Sequence, residues 1–85
     1  MQFHEMLNEY LRRLNVTALE LATASELSPA VISRYRNAER TPAPGSKALT
    51  RLAKGIALLA EQKGDLSLSQ ESVLGAFRKA LRYEG

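Results

Sequence analysis

The chain has 85 residues, of which 45% are hydrophobic and 25% charged, with a formal net charge of +3 and no cysteine. That length makes one domain with a modest core. The composition excludes a disulfide framework, a thiolate metal site and any membrane span, since no window approaches eighteen apolar residues. The opening MQFHEMLNEY has acidic residues where a signal peptide needs a basic start and an apolar run, so a cytoplasmic location is expected.

Phe3, Met6, Leu7, Tyr10, Leu11 and Leu14 recur at spacings of three and four, which predicts an amphipathic helix over about residues 2–14. His4 falls off that stripe and has no second ligand candidate, so it reads as a solvent-facing residue and not a metal site. Asn15 suits the end of this helix because Asn tolerates the left-handed conformation.

Two short helices come next, over about 18–24 and 29–38. Thr17 and Glu20 form a capping box, with Val16 and Leu21 as the hydrophobic staple beside it. Ser28 caps the second helix, Pro29 takes its first position, and Leu27 and Ile32 form its staple. This spacing leaves about two turns for the first helix and predicts a helix-turn-helix. Leu21, Ala22, Ile32 and Tyr35 face inward, with Ala22 small where the helices cross. Ala30, Ser33, Arg34 and Asn37 face outward, and Arg36 and Arg40 lie at or beyond the end. An exposed cationic helix held steeply against its neighbour has the geometry that enters a DNA major groove.

Leu21-Ala22, Ile32-Ser33-Arg34-Tyr35, Asn37 and Glu39-Arg40-Thr41-Pro42 together resemble the lambda-repressor-like, Xre-type helix-turn-helix regulators of bacteria and their phages. The likeness covers roughly Phe3 to Ala60. It implies an all-α, five-helix DNA-binding domain over residues 1–85, with the motif at 17–38 and helices 2 and 3, and allows for it being the N-terminal part of a longer protein. The chain departs from the family where Glu26 and Ala38 stand in place of glycines, where Ala18 replaces a common Gln, and where Arg36 replaces a common Glu. Glu26 leads us to expect a turn lengthened or shaped differently from the family's commonest form.

Residues 38–45, AERTPAPG, read as a loop in which Pro42 and Pro44 favour extended conformations at Thr41 and Ala43. Ser46 caps a helix to about Gln62 with a broad apolar face. Gly55 inside it is unfavourable by about 1 kcal/mol relative to Ala, which suggests a close helix contact there. Lys63-Gly64-Asp65 ends that helix. Ser69 then caps a last one to about Tyr83, stapled by Leu68 and Val73, whose Phe77 and Leu81 serve either the core or a dimer contact.

Six cations and one anion lie between Arg34 and Lys54, against six cations and eight anions elsewhere, so the basic excess gathers on the second motif helix and the segment after it. No phosphate loop, paired carboxylates or Ser/His/Asp set is present, and Ser25, Ser28 and Ser33 read as cap or surface residues. Neither an enzyme nor a cofactor or small-molecule substrate is expected.

By the family resemblance, Ser28, Pro29, Ala30, Ser33 and Arg34 are the base-facing positions. Only Arg34 among them is a strong reader, suited to guanine O6 and N7. Arg36, Asn37, Arg40, Thr41 and Lys47 suit phosphates, and Thr17 at a helix N-terminus does as well. The expected function is sequence-dependent binding of double-stranded DNA by a transcriptional regulator, with a homodimer on two half-sites or further domains needed for useful specificity. The alternative is a protein-interaction module of the same fold with weak or lost base readout.

Overall fold

In the computed structural model, residues 1–84 are described, with side chains through Arg82, and they form five helices and no strand. They are α1 (Phe3–Leu14), α2 (Ala18–Ser25), α3 (Pro29–Arg36), α4 (Lys47–Gln62) and α5 (Gln70–Glu84). No described helix is long and apolar enough to cross a membrane.

The helices begin where local side-chain chemistry starts them. At α2, Glu20 N–H donates to Thr17 Oγ1 at 3.1 Å and Thr17 N–H donates to Glu20 Oε1 at 2.9 Å. Ser28 Oγ accepts from Val31 N–H at 3.1 Å, and Ser46 Oγ from Leu49 N–H at 3.2 Å. Ser69 and Ser72 cap each other reciprocally at 3.1 Å ahead of α5. Each of these bonds satisfies a first-turn amide that the helix itself leaves unpaired.

The ends of α1 to α4 share one device, a residue in the left-handed region. Asn15 (φ 54°), Glu26 (φ 58°), Ala38 (φ 61°) and Gly64 (φ 80°) occupy these places. At each, the following N–H reaches back to a carbonyl of the last turn: Val16 to Leu11, Leu27 to Ala22, Glu39 to Arg34 and Asp65 to Ala60. This is the backbone closure that glycine ordinarily serves. The turn between α2 and α3 is therefore not lengthened. It keeps the left-handed corner, and Glu26 carries the steric cost.

That cost makes a prediction. A non-glycine residue in this region is unfavourable by about 1–2 kcal/mol, partly offset by glycine's greater freedom when unfolded. Glu26→Gly and Ala38→Gly are each expected to stabilise the fold by about 0.5–1 kcal/mol and to raise Tm by about 4 °C, read by thermal melting. A fall in Tm for both would show that the corners are not strained.

One core joins all five helices. α2 lies along α4, α4 along α5, and α1 spans α3 and α5. Phe3, Leu7, Leu21, Ile32, Leu49, Leu52, Ile56, Val73 and Phe77 are fully buried. Phe77 and Leu81 both belong to this core, which answers the alternative left open by the sequence. Tyr35 on α3 meets the Phe3 ring edge-on at 5.9 Å, and Phe3 meets Phe77 at 5.0 Å, so an aromatic series runs from α3 through α1 to α5.

α2 and α4 approach most closely at Gly55. A Cβ there would stand 2.7 Å from Ser25 Cβ and 2.9 Å from Ser25 Cα, closer than such atoms come. The close contact expected at this glycine is present. Ser25 corrects the reading of it as a cap or surface residue: it is 2% exposed, and its hydroxyl donates to Leu21 O at 2.6 Å. A serine that returns its proton to its own helix can be buried without a second partner.

Between α4 and α5, Arg13 Nε donates to Asp65 Oδ2 at 2.9 Å, fastening α1 to the connecting turn. The Ser67 hydroxyl bound to Asp65, helped by the Ser67 amide and Arg13, holds that carboxyl below its ordinary range.

Candidate functional site

The eleven residues singled out in the sequence are all exposed. Ser28 caps α3 and Pro29 and Ala30 form its first turn, so all three stand at the N-terminal end of that helix. Ser33, Arg34 and Arg36 lie on its body, with Asn37 as its C-terminal cap. The helix is shorter than the expected span of residues 29–38 because the left-handed turn at Ala38 stops it at Arg36. Arg40 and Thr41 come after it in the loop, Lys47 opens α4, and Thr17 precedes α2.

Arg34 is the least committed of the cations on α3. Its side chain has no hydrogen bond or ion pair among the described residues, and no other segment covers it. Its orientation is set by the buried residues beside it. Ile32 and Tyr35 point into the core at 0% and 3% exposure, which turns Ser33, Arg34 and Asn37 outward. Ser33 Oγ accepts from Asn37 Nδ2 at 3.4 Å, a long bond that leaves both groups open to a stronger partner.

Arg36 is different. Its Nε donates to Asn8 Oδ1 at 2.8 Å, and Asn8 Nδ2 donates to the Arg36 carbonyl at 3.1 Å. One asparagine on α1 therefore grips both the side chain and the backbone at the end of α3. Arg36 anchors the helix, so its guanidinium is not a free arm as Arg34's is. Thr17 is also engaged. The Glu20 carboxylate that completes its capping box puts a negative charge beside the amides of α2's first turn.

Comparison of the chain with protein families, with curated proteins and with solved structures finds no match in any of the three.

Besides Asn8, two supports of this surface were not foreseen. Arg78 on α5 donates from Nε to Pro44 O at 3.0 Å, which ties the 41–45 loop to α5. Pro42 is buried, so the loop that carries Arg40 and Thr41 is held from beneath. Asn8 and Arg78 share no periodic pattern with the site, and the sequence offered no local signal for either. Among the described residues no group of three or more His, Cys, Asp or Glu could hold a metal ion.

Proposed function

We propose that the protein is a DNA-binding regulator of the lambda-repressor-like, Xre-type kind, with α2 and α3 as its helix-turn-helix and α3 as the helix that enters the major groove. The observation that carries this reading is the uncommitted, outward Arg34 on a helix whose opposite side is locked into the core by Ile32 and Tyr35. Arg34 has the reach and the two donors to read guanine O6 and N7, a contact that discriminates by about 1–3 kcal/mol. Ser28 and Ser33 supply short hydroxyls beside it, while Pro29 and Ala30 offer at most apolar contact to a thymine methyl.

Arg40, Thr41, Asn37 and Lys47 would meet phosphates, which fix position without reading sequence. Arg36 would add charge from a fixed posture. The two left-handed corners support the family resemblance, because Glu26 and Ala38 stand where that family commonly has glycine and adopt the backbone a glycine would.

One arginine and a few small residues read little, so the binding is expected to be salt-sensitive and of low sequence preference. A panel of duplexes titrated at low and moderate salt tests this. Preference for any one site by more than about a thousandfold would contradict it, since specific binders commonly reach that range. Arg34→Ala is expected to erase what preference exists. A uniform weakening across all duplexes would reassign Arg34 to the backbone, and no binding at all would favour a protein-interaction module of the same fold.

The capping box gives a second expectation. Glu20→Gln preserves the reciprocal cap, since glutamine serves equally at that position, while removing the carboxylate beside Thr17. DNA affinity should rise about two- to fivefold at low salt and the gain should fade as salt is added. An unchanged affinity at low salt would remove Thr17 from the phosphate surface.

A further inference from the structure

α4 turns one side away from the core. Lys47, Arg51, Lys54, Leu58 and Glu61 succeed one another at spacings of four, three, four and three, and every one is exposed. That alternation lays them in a single stripe along the helix. The stripe changes sign along its length. Its first half carries three cations and no anion. Leu58 follows at 39% exposure, with Glu61 beyond it near the end of the helix. Beside it Leu66 is 83% exposed, and a recess of about 400 Å³ opens between α4 and residues 65–70, lined by Leu58, Leu66 and Leu68.

We propose that this stripe is a dimer interface, where a second copy of the chain packs its α4 antiparallel to the first across a two-fold axis at Leu58. The charge pattern selects both the occupant and the direction. Parallel pairing would set cation against cation. Antiparallel pairing brings Lys54 of each copy beside Glu61 of the other. The two Leu58 side chains meet at the centre, and the recess receives the exposed leucines. A nucleic-acid backbone would be repelled by the Glu61 end and would gain nothing from Leu58. A self-complementary patch of this kind is what a two-fold contact requires.

The contact is one helix wide, at the low end of specific interfaces, so the dimer is reversible with a dissociation constant in the micromolar range. Lys47 lies at the edge of the stripe and remains available to phosphate. The inference does not depend on the DNA reading, because its test contains no nucleic acid.

Sedimentation of the 85-residue chain at low salt, over concentrations up to about 1 mM, should show a monomer–dimer equilibrium. Lys54→Glu and Glu61→Lys should each raise the dissociation constant at least about tenfold by placing like charges together. Both positions are exposed, so the fold should tolerate either change, and unchanged helical content by circular dichroism checks this. The double variant Lys54→Glu/Glu61→Lys should recover the dimer, and an equimolar mixture of the two single variants should form a heterodimer. Leu58→Asp should abolish association. A wild-type chain that stays monomeric throughout, or a dimer indifferent to both single reversals, would overturn the proposal.

Discussion

Phe77→Ala is expected to lower the stability of the fold by about 3–5 kcal/mol, the range for truncating a fully buried phenylalanine. A domain of this length holds about 4–13 kcal/mol in total, so the variant should be largely unfolded at the lower end of that range. Phe77 is 0% exposed and meets two rings, Phe3 at 5.0 Å and Tyr10 at 5.5 Å. Its loss leaves a void between α5 and α1 that neighbouring aromatic rings are too rigid to refill. The effect should extend to the proposed DNA surface, because Phe3 in turn supports Tyr35 on α3. Denaturant unfolding measures the loss. A change below about 1 kcal/mol would mean that the aromatic series does not hold α3 in place.

The second large effect is expected on the opposite side of the α2–α3 pair. In an exposed helix, Gly→Ala stabilises by about 1 kcal/mol. At Gly55 the sign should reverse, since a single added carbon would stand 2.9 Å from the backbone nitrogen of Ser25 and α2 would have to move away. Overpacking of this kind is unfavourable by about 1–3 kcal/mol, so Gly55→Ala should be net destabilising and Gly55→Val should reach about 3 kcal/mol. The companion change Ser25→Gly removes the Cβ nearest the clash but leaves the backbone contact, so it should rescue Gly55→Ala only in part. A Gly55→Val protein that melts at the wild-type temperature would show that α2 is free to shift on α4.

Legibility tracked the range of the interaction. Thr17, Ser28, Ser46 and Ser69 were readable as helix starts because each bonds to an amide three residues ahead. The faces of α1, α4 and α5 were readable because burial repeats with the helical period. Gly55 was readable as a close contact because glycine inside a long helix is unfavourable without one. Glu26 was harder. Its residue type argued for an altered turn, yet the pull of Leu27 and Ile32 into the core keeps the left-handed corner despite the side chain. Ser25 was misread because its type suggests the surface, whereas its hydroxyl is satisfied by a carbonyl one turn back. The Asn8–Arg36 and Arg78–Pro44 bonds join residues far apart in sequence and leave no trace in local pattern. The exposed stripe on α4 was hidden for a related reason: only once the apolar face is seen to be covered does the remaining side stand out.

The meeting of Phe3 with Phe77 bears on how the molecule folds. It joins the first helix to the fifth, so almost the entire polypeptide must be looped before these rings can touch. The entropy of such closure grows only with the logarithm of loop length, so it weakens the finished structure little. Contacts between distant parts of a chain slow folding, however. The α2–α3 pair, whose caps and corners are made within each helix, should form early, and docking of α5 onto α1 should limit the rate.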